Sequence, residues 1–183
     1  MDLGIKRIAT LSTGEMFSGR NLNRRRERYA RTKASLQRKG TKGSKRVLRR
    51  LAGKEARFQR DVNHAISKAI VGRAAENDCF IAMEKLDGIR QRSTNKGRRF
   101  RRMIGRWAFY QLKTFIAYKA AAERVRMVEV NPAYTSKRCP SCSEIGLRQK
   151  HKFTCVSCGF VGDIVGATNI AAQGMIASHP EAA

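Results

Sequence analysis

Four cysteines near the C-terminus form two pairs of the same kind, Cys139-Pro-Ser-Cys142 and Cys155-Val-Ser-Cys158, with twelve residues between the pairs. Two residues inside each pair let both thiolates reach one ion. Two such knuckles close a tetrahedral shell of four sulfurs, the arrangement zinc takes in structural sites. The spacing therefore predicts a structural zinc centre on Cys139, Cys142, Cys155 and Cys158. Five residues after the last of them stands Asp163, in the run Gly162-Asp163-Ile164-Val165-Gly166-Ala167-Thr168-Asn169-Ile170. An acid so placed, in a chain of net charge +25, points to a metal-dependent enzyme acting on nucleic acid.

The charge sets the class of partner. Thirty-nine Lys and Arg against 14 Asp and Glu repel one another in the free chain, and a polyanion relieves that repulsion. DNA or RNA fits better than a membrane surface. No apolar run approaches the roughly 18 residues that cross a bilayer, and the N-terminus lacks the charged and apolar regions of a secretory signal. The chain is expected in the cytoplasm, where thiols stay reduced and bind metal. The fifth cysteine, Cys79, precedes Phe80-Ile81-Ala82-Met83 and is expected to be a buried strand residue.

Along the chain, strand-like and helix-like patterns alternate. Residues 1–14 read as two strands punctuated by Gly4 and Gly14. From Arg20 to Arg60 come 17 Lys and Arg against Glu27 and Glu55 alone. Leu36 belongs to one helical pattern there. Val47, Leu51, Phe58, Val62, Ile66 and Ala69 belong to a second, at spacings of three, four and seven. The segment Lys39-Gly40-Thr41-Lys42-Gly43-Ser44 separates them, with Ser44 as the expected N-cap. The result is a helical hairpin with basic outer faces. Cys79–Leu86 reads as a strand ending at Glu84, and 85–106 as a second basic stretch running into a helix over about 100–124. On that helix Trp107, Tyr110 and Phe115 fit the core better than a base-stacking surface. Arg126–Val130 is a further strand, a short helix starts near Val165, and the tail from Ser178 is frayed. This order argues for an α/β domain with a zinc ribbon inserted near its end.

Three acids, Asp2, Glu84 and Asp163, each end an apolar strand or turn. Phosphodiester hydrolysis uses two divalent cations about 4 Å apart, and Mg²⁺ takes carboxylate oxygens while keeping several waters. Spacing alone does not single out this triple, because an acid at a strand end is most often a solvated surface group. His151 lies between Lys150 and Lys152, but four thiolates already fill a zinc shell. His64 fits a packed or solvent-facing place. Tyr134-Thr135-Ser136 fits either a phosphate contact or the start of the zinc loop.

An ordered set of motifs goes further. Asp2-Leu3-Gly4-Ile5 with Ala9–Gly14 is followed by Asn63-His64-Ala65-Ile66-Ser67-Lys68, then by Ile81-Ala82-Met83-Glu84-Lys85-Leu86-Asp87-Gly88-Ile89. Trp107, Tyr118-Lys119-Ala120, Val130–Ser136, the four cysteines and Asp163–Ile170 complete the set. In this order the chain resembles the C-terminal half of the TnpB/OrfB family of transposon-encoded RNA-guided nucleases, relatives of the compact type V CRISPR effectors. The resemblance implies a RuvC-like nuclease core of the RNase H fold, a mixed sheet with helices, over 1–132, with the basic hairpin at about 20–77. It implies a zinc-ribbon, target-nucleic-acid-binding insertion at 133–160 and a return to the core at 161–183. Carried over by position, Asp2, Glu84 and Asp163 become the catalytic acids, holding two Mg²⁺ with Mn²⁺ as a substitute, and the cysteines hold one zinc. DNA is the implied substrate, and guide RNA the partner of the full-length family. A nuclease-inactive remnant that only binds DNA or RNA is the alternative. Two departures stand out: Val165-Gly166-Ala167 replaces the usual Asn-Ala-Ala, and only Met1 precedes Asp2, so the first strand is expected to be short.

Overall fold

The computed structural model describes residues 1–86 and 109–178. Residues 1–14 make the two expected strands, β1 (Asp2–Leu3) and β2 (Arg7–Thr10), and a third, β3 (Met16–Ser18), follows; the three lie antiparallel in that order across one sheet. Gly14, at φ +92, takes the left-handed turn between β2 and β3 that a side chain would strain. A one-residue bulge interrupts β2 between Arg7 and Ala9.

Two helices follow, α1 (Arg20–Lys39) and α2 (Lys42–Glu76). Gly40, at φ +66, ends α1, and Thr41 starts α2 by accepting the Ser44 N–H at 3.1 Å. The N-cap is thus Thr41 and not Ser44, because Thr41 holds the extended backbone a cap needs and Ser44 already lies inside the helix. Arg25 stacks over Phe58 at 4.2 Å, Arg26 donates to Gln59, and Lys33 pairs with Glu55, so α1 runs back along α2. Arg26 and Lys33 are the only two of the 17 hairpin cations that are not exposed. Val47 is 44% exposed, against the expected apolar stripe, since it lies on the half of α2 beyond the core. Burial begins in earnest at Asn63, Ile66, Ser67 and Ile70.

Cys79 is exposed and lies before the strand rather than in it. Its backbone N–H instead closes α2 onto Ala74 O at 2.8 Å, past a left-handed Asp78. The strand β4 starts at Ile81 and runs to Glu84. It pairs in parallel with β5 (Met127–Val130), and α3 (Phe109–Ala122) forms part of the crossover between them. Leu112, Ile116 and Ala120 of α3 are buried, whereas Tyr110 is 80% exposed and so no core residue. Trp107, the basic stretch from Asp87 to Arg106, the expected start of α3 near residue 100, and the tail after Ser178 lie outside the described residues.

The last elements are the ribbon strands β6 (Leu147–Gln149), β7 (Lys152–Thr154) and β8 (Val161–Gly162), then α4 (Val165–Ser178). Strand alternation sorts the core into two layers. Ile81 and Met83 face the cluster of α2 and α3, with Met1 and Leu3 packed in the same cluster. Ala82 and Val130 face Ile170 of α4. Gly174 lets α4 approach closely, since a Cβ there would stand 2.4 Å from the Ala82 Cβ. The Met1 amine donates to Ala82 O at 2.7 Å and ties the first sheet to the second. Ile116→Ala, at a fully buried contact of α3, is expected to cost about 2–5 kcal/mol. Val47→Ala, on the projecting hairpin, should stay within about 0.5 kcal/mol. Urea denaturation of both variants checks the division.

Candidate metal and nucleic-acid site

The four cysteine sulfurs all lie within 4.8 Å of one another. Cys139 Sγ is 3.6 Å from Cys158 Sγ, and Cys142 Sγ is 3.5 Å from Cys155 Sγ. Zinc–sulfur bonds of about 2.3 Å place tetrahedral sulfurs about 3.8 Å apart, so this cluster can hold zinc with little movement. The knuckles repeat each other. Cys139 O accepts the N–H of Ser143, at φ +65, and Cys155 O accepts the N–H of Gly159, at φ +72. The backbone N–H groups of Cys158 and Ser157 lower the Cys155 thiol to about 6, favouring the thiolate that binds metal. Buried Phe153 packs beneath, so close that a Cβ on Gly146 would meet its ring at 2.4 Å.

The acids lie where alternation sends them. Between Met1 and Leu3, and after Met83, Asp2 and Glu84 turn to the α4 side of the sheets. Gly166 in the first turn of α4 leaves room for Asp2, whose Oδ2 lies 2.8 Å from where a Cβ would be. Burial raises the Asp2 carboxyl above its ordinary range, with Arg148 and the Met1 amine pulling it back. Burial also raises Glu84. A hydrogen bond from Thr135 Oγ1 opposes that rise, and the charge of Asp2 adds to it. Burial lowers the Met1 amine to about 6, against the pull of Asp2 and Glu84.

Asp163 stands apart from this pair. It precedes α4, is half exposed, and accepts from Arg7 Nη2 at 3.2 Å. Asp2, Arg7, Arg148, Lys150, His151 and Asp163 line one cavity of about 350 Å³. Among the described residues the cysteines are the one metal-competent cluster, and the three acids are not drawn together into a second. His151 lies in this cavity wall and outside the sulfur cluster. His64 is packed, its ring stacked on Phe115 at 4.0 Å.

Sequence reasoning left Thr135 open and did not single out Arg7 or Arg148. Thr135 is buried, and its carbonyl accepts from Asn169 Nδ2 at 2.8 Å; the same amide donates to Arg138 O at 2.7 Å. Arg148, on β6, reaches from the ribbon into the cavity and donates to Ser136 O. A hydroxyl next to a chain turn and an arginine in a basic chain carry no local signal of these contacts.

Comparison with known proteins agrees with the geometry. A family model described as "Probable transposase", of the OrfB type, matches residues 1–88, and one described as "Cas12f1-like, TNB domain" matches 109–170. The chain belongs to the TnpB/OrfB family. A TnpB-like protein of Methanocaldococcus jannaschii is 34% identical over 69% of this chain and 46% of its own length. The CRISPR-associated endodeoxyribonuclease Cas12f1 of Syntrophomonas palmitatica is 34% identical over 66% of this chain and 24% of its length. The "Putative RNA-guided DNA endonuclease InsQ" of Escherichia coli K12 is 29% identical over 95% and 48%. The chain thus spans less than half the length of these relatives. A Cas12f1 chain, solved in complex with sgRNA and target DNA, superposes with a TM-score of 0.73 at 19% identity over 93% of this chain and 48% of its own. This likeness establishes the shared mixed α/β fold. No helix among the described residues is long and apolar enough to cross a membrane.

Purified protein is expected to hold one zinc by elemental analysis, lost on Cys139→Ser. The raised acids predict a pH effect with a definite sign. In the folded chain Asp2 and Glu84 keep their protons to higher pH than in the unfolded chain. Their stabilisation is full below the ordinary carboxylate range of about 4 and is lost as pH rises through the raised values. The Met1 amine acts oppositely between about 6 and 8.0. Glu84→Gln therefore melts above wild type at neutral pH without divalent cation, and the difference vanishes toward pH 4.

Proposed function

We propose that this chain is the RuvC-like, RNase H-type nuclease half of an RNA-guided DNA endonuclease, hydrolysing DNA phosphodiester bonds with Mg²⁺. The observation that carries this reading is the pair Asp2 and Glu84, two half-buried, partly desolvated carboxylates in a chain of net charge +25. Structural proteins gain nothing from such a pair, because two like charges away from water destabilise the fold. A bound divalent cation reverses that balance. Hard oxygen donors suit Mg²⁺ or Mn²⁺, and Gly166 keeps a Cβ from filling the space beside Asp2.

Asp2 and Glu84 would hold the catalytic cations, with Asp163 completing the set from across the cavity. Mg²⁺ held by these acids would supply water activation and charge stabilisation at the leaving oxygen. The chain's own residues do the rest. Thr135 fixes the rotamer of Glu84 through its hydroxyl. Arg148, Lys150 and Lys6 border the cavity and hold a phosphodiester against the acids. The exposed cations of α1 and α2 offer a long phosphate-binding surface for the guide–target duplex. RNA guidance is supported by the similarity to relatives described as RNA-guided DNA endonucleases. The cysteines would hold zinc as a structural centre.

Zinc-loaded protein and end-labelled single-stranded DNA test this, with Mg²⁺ added or omitted. Metal-dependent cutting is expected, reduced at least about 100-fold in Glu84→Gln and Asp163→Asn, with DNA binding retained. Cutting that survives Glu84→Gln overturns the assigned site. Tight, salt-sensitive binding without cutting by wild type would favour the binding-only alternative.

A further inference from the structure

Arg7 is tied to the acid cavity by an unusual piece of backbone. In regular alternation Arg7 and Ala9 would share a face of β2, and Ala9 is fully buried. The bulge breaks the register between them: Arg7 pairs with Ser18 and Ala9 with Phe17, two steps on β2 against one on β3. A bulge of this kind re-aims a side chain at a strand end. Here Arg7 borders the cavity shared with Asp2 and Asp163, and its Nη2 reaches Asp163 Oδ2 at 3.2 Å. Arg7 and Asp163 are 28% and 51% exposed, so the pair is weak and readily exchanged.

We propose that Arg7 is an intramolecular stand-in for the catalytic cation, holding Asp163 out of the metal set until a divalent ion displaces it. This rests on the reading of Asp2, Glu84 and Asp163 as metal ligands. The logic is one of occupancy. Asp2 is near enough to Glu84 for its charge to act on it, while Asp163 gives an oxygen to a guanidinium; among the described residues the three do not gather. An Arg that occupies the third ligand lowers the affinity for cation by the free energy of the ion pair. It also frees a guanidinium on the cavity wall once the cation is bound. Metal affinity, cavity charge and the state of Asp163 are then coupled through one residue. Arg7 is a positioning residue here, acting through Asp163.

Calorimetric titration of zinc-loaded protein with Mn²⁺ tests the idea without reference to cleavage. Arg7→Gln is expected to tighten Mn²⁺ roughly three- to fivefold, the scale of an exposed ion pair. Removing any nearby positive charge favours a cation, so two controls separate the latch from the general field. Lys6→Gln takes away a charge on the same cavity that, among the described residues, makes no ion pair with Asp163. Asp163→Asn removes the latch's partner, and adding Arg7→Gln to it should bring no further gain. An equal gain from Lys6→Gln, or one that persists in the Asp163→Asn background, overturns the latch. So does wild-type affinity in Arg7→Gln while Glu84→Gln loses binding, and the acid site itself then stands. If wild type binds no Mn²⁺, or Glu84→Gln binds as wild type does, the acid site fails and the latch with it. Thermal melts confirm that each variant is folded before it is titrated.

Discussion

Two half-buried carboxylates, near enough for the charge of one to act on the other, impose the central constraint on this molecule. Desolvation raises both Asp2 and Glu84, and each carries a cost the fold must offset. The total charge of +25 does little of this work, because exposed charges beyond about 10 Å are screened. At 1.5 Å per residue the 35 residues of α2 span about 52 Å, and its distal cations are far from the acids. Compensation is local. Arg148 acts on both acids, the Met1 amine lies beside them, and Thr135 donates a hydrogen bond to Glu84. What these groups leave uncompensated is what a divalent cation would take up.

Thr135 and Arg148 come from the segment containing the four cysteines, which makes the ribbon part of the acid site rather than an appendage. Asn169 joins the two by donating to Thr135 O and Arg138 O, one on each side of the turn into the first knuckle. Its amide is buried, so losing it would leave two carbonyls short of a donor. Order in the cysteine cluster thereby passes to the hydroxyl that fixes Glu84. A zinc ion held by the cysteines would thus bear on the geometry around Glu84 without touching it.

Much of this was legible before any coordinates. The cysteine spacing led to the sulfur cluster, and the apolar runs beside Asp2 and Glu84 marked both as strand-end acids without showing which face they take. The failures have a common cause, since each residue obeyed a contact that the local pattern does not encode. Cys79 adjoins an apolar run, but its backbone is spent on closing α2. Val47 keeps the helical period although the core ends before it. Ser44 is a good capping residue displaced by Thr41, three positions earlier. Tyr110 has core chemistry and a solvent-facing position on α3. Asp163 follows the motif but meets Arg7, a pairing fixed by a bulge that no short-range rule predicts.

Charge is therefore divided into two regimes with different physics. On the hairpin, cations are exposed, and their hold on a phosphate backbone would be additive and strongly weakened by salt. In the cavity, Arg7 and Asp163 form a short but exposed pair that salt also reaches, whereas Asp2 and Glu84 are partly withdrawn from solvent and feel Arg148 with less screening. Rising ionic strength weakens the hairpin surface and the Arg7–Asp163 pair before it reaches the two inner acids. Polyanion binding on the hairpin, as proposed, and the electrostatics around Asp2 and Glu84 would thus be separable, although one chain of overwhelmingly positive charge supplies both.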